Sequence, residues 1–241
     1  MSKVKAKVLR FKQISVEAVF EKENELISQL QNGNLNQALL LWQSDKPTLV
    51  LPSGNKWQQT EALESKLKKT GWQLHARKTG GAPVPQCEGV INVSYMYVLE
   101  EHIPYSIPNA YKDFCAILSS FFEQFNIKVE THATSGSYCD GDYNLNIKSK
   151  KIVGTAQRVL LKKGGGKIVL AQACILVNAN MPTLVSPVNL CYQHHQQGDR
   201  AIADVHTSLF EHTQERPDID ELFQRLFTSF INHQKHKSSS P

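Results

Sequence analysis

Long apolar runs are missing from this 241-residue chain: no stretch approaches the roughly 20 apolar residues that a membrane-crossing helix needs. The opening residues, MSKVKAKVLRFK, lack the apolar core of a secretory signal. No CxxC pair occurs among the five cysteines, Cys87, Cys115, Cys139, Cys174 and Cys191. Their number is odd and their spacing wide, which argues against a zinc ribbon and against a disulfide framework. These absences together predict a cytoplasmic protein with reduced thiols. Basic runs are scarce too. The net charge is +5, but the lysines are dispersed, as in Lys66, Lys68, Lys69 and Lys162, Lys163, Lys167. A nucleic-acid-binding chain concentrates them on one helix or tail, so no nucleic acid is expected as a partner. A dispersed positive surface suits an acidic protein instead. Neither a GxxxxGKS/T phosphate loop nor a GxSxG elbow is present, and Gly164 to Gly166 lack a dinucleotide-binding setting. Internal repeats and Ser/Gly-rich linkers are absent as well.

The composition is that of a globular protein, with 41% hydrophobic and 20% charged residues. Ser15 to Gln31 reads as an amphipathic helix capped by Ser15 and stopped by Gly33. Trp57 to Lys69, the strongly apolar Asn109 to Phe125 and Asp218 to His233 read as further helices. Ala38 to Trp42, Pro47 to Leu51, Trp72 to Arg77, Gly89 to Leu99, Ile127 to Glu130 and Ile168 to Val177 read as strands. Tyr143 to Ile147 and Ile152 to Val159 form a hairpin; pairing it about Ser149 sets Lys151 opposite Ile147. Pro182, Pro187 and Asn189 mark an irregular crossing. The fold class is therefore α/β (α+β): one mixed sheet flanked by helices, as a single domain over residues 1–235. The tail, residues 236–241, is expected to be disordered.

Three features carry chemistry. Arg77 to Val84, RKTGGAPV, is a glycine-bearing loop after a strand, which lets backbone approach a ligand closely. Read alone it is more often a tight strand-to-strand turn. Lys151 opens a strand with Gly154 three residues on, a point charge for a carbonyl oxygen or phosphate. Cys139 sits in GSYCDGDY, a small-residue loop that can present a thiol as a nucleophile. Thiols react as thiolates, so a nearby cation such as Lys151 would suit it. Cys115 and Cys174 lie in apolar contexts and read as core filler. Cys87, near the glycine loop, is the rival thiol, and His132 a candidate base. Cys191, His194 and His195 lie in a Gln-rich, loop-like segment without a second ligand pair, so no metal site is expected.

In order and spacing, the pieces from Leu39 to Asn178 resemble the lipoate–protein ligase A and octanoyltransferase family, whose catalytic fold is that of biotin–protein ligases. Arg77-Lys78-Thr79-Gly80-Gly81-Ala82-Pro83-Val84 is similar to that family's "RRxSGGGAV" loop. Asp142 to Leu145 and Lys150-Lys151-Ile152-Val153-Gly154-Thr155-Ala156-Gln157-Arg158 resemble its "NDLxVxGRKIxGSAQR". Gly136 to Tyr143, GSYCDGDY, is similar to the "SYCPGDYDL" of the cysteine-dependent octanoyl/lipoyl amidotransferase branch, with Asp140 in place of proline. Gln86 stands where the ligases have histidine, and Ala171-Gln172-Ala173 replaces "HHG".

The resemblance implies that Lys151 contacts the acyl carbonyl and that Arg77, Thr79, Gly80, Gly81, Gly154 and Thr155 bind the acyl substrate. It implies a thioester on Cys139, formed from an octanoyl or lipoyl group on a carrier and passed to a lysine of a lipoyl domain. Implied partners are the glycine cleavage H protein, 2-oxoacid dehydrogenase E2 lipoyl domains and acyl carrier protein. No cofactor is implied beyond the carried acyl group. ATP enters only if the chain is instead a lipoate ligase, and a non-catalytic acyl-binding module is the third alternative. A monomer suits an enzyme that must admit a folded protein.

Overall fold

The computed structural model describes residues 5–239. The chain opens with β1 (Ala6–Ile14), a strand that hydrophobic patterning does not reveal because most of its side chains stay exposed. Its lysines suit a sheet edge, where charge discourages pairing with other chains. Next comes α1 (Val16–Gln31), capped by Ser15, whose Oγ accepts from Ala18 N at 3.1 Å. Such a cap contributes about 1 kcal/mol. The apolar runs become β2 (Gln37–Ser44) and β3 (Thr48–Leu51), followed by α2 (Glu61–Lys68). That helix starts later than the apolar spacing predicts, because Thr60 caps it. Trp57 packs instead on Tyr192, with ring centroids 5.1 Å apart.

Then follow β4 (Gln73–Ala76), β5 (Val84–Gln86), β6 (Val90–Leu99), α3 (Ile107–Glu123) and β7 (Glu130–Thr131). The chain continues through β8 (Leu145–Ile147), β9 (Lys150–Leu161), β10 (Lys167–Leu176), α4 (Met181–His194) and α5 (Ile219–Ser239). The large mixed sheet runs β1-β2-β6-β10-β9-β8-β7, with β1 parallel to β2 and every other pair antiparallel. Beside it, β4-β3-β5 form a small second sheet. On one face α1 seals Leu40, Met96 and Leu170 beneath Val19, Leu26 and Leu30. The larger core joins α3, α4 and α5 to the remaining apolar residues. No helix among the described residues is long and apolar enough to cross a membrane.

Three expectations are corrected. Pro182, Pro187 and Asn189 lie in α4, not in an irregular crossing. Asn180 caps that helix and Pro182 sits in its first turn, where no intrahelical N–H partner is required. The loop-like reading of Cys191 and His194 fails for the same reason. The hairpin register also moves by one. Lys148 and Ser149 both take positive φ, 48° and 62°, as a two-residue turn between twisted strands demands. Ile147 then pairs with Lys150, and Lys151 with Asn146. At the C-terminus α5 continues to Ser239, so residues 236–239 of the expected tail are helical; residues 240–241 lie outside the described residues.

Candidate active site

The loop from residue 132 to 144 folds back across the sheet, and its own polar groups hold it there. Thr134 N donates to Asp140 Oδ1 at 2.5 Å, and Ser137 N donates to Thr134 O at 3.0 Å. Asn146 Nδ2 reaches His132 O at 2.9 Å, and Asn144 Nδ2 reaches Cys139 O at 2.9 Å. Both asparagines are fully buried in the hairpin base. This folding brings the thiol to the lysine. Lys151 Nζ donates to Tyr138 O and, at 2.9 Å, to Cys139 O. The ammonium also lies 4.3 Å from the centre of the Tyr138 ring.

Lys151 is fully buried, and burial lowers its pKa; attraction to Cys139 opposes that shift. A buried cation is tolerated because two carbonyls, an aromatic face and a neighbouring thiol surround it. His206 locks the assembly from behind. Its Nδ1–H donates to Ile202 O at 2.8 Å, and its Nε2 accepts from Tyr138 N at 3.4 Å. Its ring stacks on Tyr138 at 4.9 Å, and Thr207 N donates to Lys151 O at 2.9 Å. Burial, then the Lys151 charge, push the His206 pKa down to about 4.

Cys139 adopts φ 54°, a left-handed conformation that is costly for a residue with a side chain. Such strain persists only where surrounding bonds over-determine it, as the loop contacts do here. The thiol is half-buried and lines a narrow cleft of about 60 Å³ together with Lys151, Gly154, Arg77, Tyr138 and Cys174. Glycines shape its mouth. A Cβ on Gly81 (φ 112°) would lie 3.5 Å from Cys139 Sγ and 3.1 Å from Arg77 Nη2. A Cβ on Gly154 would lie 3.3 Å from Lys151 Nζ. Arg77 Nη2 donates to Gly80 O at 2.9 Å and Ala82 O at 3.2 Å, stiffening the glycine loop.

The remaining predicted positions divide. Thr155 lines the cleft and donates its Oγ1–H to Tyr143 O at 2.7 Å. Thr79, Gly80 and Gly81 lie outside the lining; Thr79 Oγ1 meets Gln172 Oε1 at 3.4 Å. Cys174, expected as core filler, lines the cleft. Cys87 and His132 do not: His132 Nδ1 faces Ala133 O at 2.7 Å, on the exposed side of the loop. Burial pushes the thiols of Cys87 and Cys115 up to about 11 and those of Cys174 and Cys191 up to about 12, so these four stay protonated at neutral pH. His194 and His195 tie α4 to the start of α2, through Thr60 Oγ1 at 2.9 Å and Gln58 O at 3.0 Å. Among the described residues, no group of three His, Cys, Asp or Glu side chains is placed to hold a metal.

Sequence reasoning missed Glu23, Asn144, Asn146 and His206. Glu23 reaches from α1 to the cleft wall, where its Oε1 accepts from Ser94 Oγ and, at 2.8 Å, from Gln172 Nε2. Burial raises its pKa. Only the polar residue at a buried helical position signals it.

The arrangement places a strained thiol, a buried ammonium and close backbone at the mouth of one narrow slot, which is geometry for acyl transfer. Known proteins resemble the chain in sequence and in fold. The octanoyl-GcvH:protein N-octanoyltransferase of Geobacillus kaustophilus is 25% identical over 215 residues, covering 86% of this chain and 74% of that one. The lipoyl-GcvH:protein N-lipoyltransferase of Listeria monocytogenes is 31% identical over 105 residues, 44% of this chain and 37% of that one. A lipoate-protein ligase A solved with ATP shares the fold, with TM-score 0.74 at 15% identity, over 97% of this chain and 86% of its own. The family model described as the lipoyl protein ligase A/B catalytic domain matches residues 16–231, nearly the whole chain, and the chain belongs to that family.

Proposed function

We propose that the protein moves an octanoyl or lipoyl group from a carrier protein to a lysine of a lipoyl domain, through a thioester on Cys139. The observation that carries this reading is the sharing of one cleft by the Cys139 thiol and Lys151, joined by the 2.9 Å bond from Lys151 Nζ to Cys139 O. In the first half-reaction the thiolate attacks the carbonyl carbon of the donor's acyl-lysine amide. The C–S bond forms, the C–N bond breaks, and the lysine amine leaves with a proton. In the second, the acceptor lysine's neutral amine attacks the thioester carbon. The C–N bond forms, the C–S bond breaks, and the proton lost by the amine goes to the released sulfur.

Lys151 places positive charge where the carbonyl oxygen becomes negative, in a site whose burial strengthens the interaction. The Arg77 Nε–H, buried without a partner, is a second donor near the thiol. Val50, Val84 and Val93 give the chain an apolar bed, at about 0.8 kcal/mol per buried CH₂. No cofactor takes part. Donor and acceptor are lipoyl-domain proteins such as the glycine cleavage H protein and E2 lipoyl domains, with acyl carrier protein as a further donor, whose thioester C–S bond then breaks in place of the amide C–N bond. Single-turnover transfer from an octanoylated H protein to an unmodified lipoyl domain, without ATP, tests the reading; absence of transfer sinks it.

A second reading, an ATP-dependent lipoate ligase, draws support from the shared fold of the ATP-bound ligase. ATP–pyrophosphate exchange stimulated by lipoate, persisting in Cys139→Ser, would favour it.

A further inference from the structure

The cleft's polar inventory is unusual for an alkyl-binding slot. Four strands present one row across its floor: Trp42 on β2 pairs with Asn92 on β6, Asn92 with Cys174 on β10, and Cys174 with Gly154 on β9. Two residues further along the strands, on the same face, Ser94 lies opposite Gln172. Most of these polar groups are matched. Gln86 and Asn92 exchange two amide hydrogen bonds, at 3.0 and 2.7 Å, and Ser94 and Gln172 both donate to Glu23.

Three side-chain atoms in the lining are not matched: Trp42 Nε1, Arg77 Nε and Tyr138 Oη are buried without a partner. The tyrosine hydroxyl can donate or accept, whereas the other two are N–H groups that only donate. Arg77 belongs to the reacting end, since its Nη2 and Cys139 Sγ both flank Gly81. Trp42 belongs to the other end. Three strand spacings separate it from Gly154, about 14 Å across the sheet. A bound chain therefore meets one free N–H beside its carbonyl and another beside its tail. Buried donors call for acceptors, and a plain alkyl tail has none. Desolvating such a donor against methyl groups leaves it unpaired, which disfavours that ligand relative to one carrying an acceptor there.

Resting on the acyl-transfer reading, we propose that this cleft selects an acyl chain of about octanoyl length that carries a hydrogen-bond-accepting heteroatom at its far end, and that Trp42 is the residue that reads it. Oxygen satisfies the indole N–H best; the sulfur of a dithiolane is a weaker acceptor.

The test compares two isosteric chains, octanoyl and 7-oxaoctanoyl, each carried as an amide on the same lipoyl-domain protein. The expected result is about tenfold higher kcat/KM for the ether chain, the worth of one hydrogen bond. Trp42→Phe, which keeps an aromatic ring and deletes the N–H, should bring that ratio close to one. Equal rates in the wild-type protein, or a preference that survives in Trp42→Phe, overturn the proposal while leaving acyl transfer intact. Should neither chain be transferred, the acyl-transfer reading falls instead. Calorimetric binding of free 7-oxaoctanoate and octanoate then decides selectivity without turnover, with equal affinities overturning the proposal. If the variant does not fold, the wild-type ratio decides by itself.

Discussion

The ammonium of Lys151 donates to the backbone carbonyl of Cys139 at 2.9 Å, so the second residue of β9 holds the loop that presents the thiol. Lys151 thus has two tasks, holding the loop and placing charge in the cleft. Lys151→Met should lower transfer by about 100-fold or more, as removal of a charge-stabilising donor does elsewhere. It also leaves the Tyr138 and Cys139 carbonyls unpaired, at about 1–3 kcal/mol each. Lys151→Arg should not rescue, because the ammonium packs so close to Gly154 that even a Cβ there would lie 3.3 Å from Nζ, which leaves little room for the larger guanidinium. Rates and thermal unfolding of both variants check this.

Gly81→Ala should lower kcat/KM about 10- to 100-fold. Its new methyl group lies against Arg77 and the Cys139 sulfur, on a backbone at φ 112° that alanine resists. Alkylation of Cys139 by a small thiol reagent, followed by mass, should slow in the same variant.

His206 makes stability depend on pH. Its folded pKa, about 4, lies below the ordinary histidine value of 6.5. Between those values the unfolded chain binds a proton that the folded protein refuses. Stability contributed by this site is therefore fully present above pH 6.5 and is lost as pH falls towards 4, by up to about 3 kcal/mol. Protonation would set an Nε2–H against the Tyr138 N–H it now accepts. Denaturant unfolding from pH 4 to 8 should give a steeper acid slope for the wild-type protein than for His206→Gln. Parallel slopes count against this account.

Asn144→Ala should remove one of the two hydrogen bonds on the Cys139 carbonyl together with the bond to Thr155 N, the two groups its side chain joins at 2.9 and 3.4 Å. The expected outcome is faster amide exchange in the loop around Cys139 with little change in α1, because α1 packs in a separate core. Uniform exchange across both would contradict it.

The site was legible to different depths. Cys139, Lys151, Gly81 and Gly154 lie in contiguous motifs; the structure brings Cys139, Lys151 and Gly154 to one cleft and sets Gly81 against the Cys139 sulfur. The convergence itself was hidden, since it depends on Lys148 and Ser149 both taking positive φ, which neither residue type advertises. His206 was invisible because its role comes from a one-turn 3-10 segment, Ala203–Val205, that docks on β9 by tertiary contact alone. Helix α4 was misread because Pro182 at its start and Pro187 inside it look, in sequence, like loop prolines. β1 escaped because an edge strand with exposed side chains carries little hydrophobic pattern.

The most direct test of the thioester is intact-mass analysis of the protein mixed with an octanoylated H protein before any acceptor is added. The account predicts a mass increase of one octanoyl group, removed by hydroxylamine, located on Cys139, and absent in Cys139→Ser along with transfer. Transfer that continues in Cys139→Ser, or an adduct confined to another thiol, would contradict it.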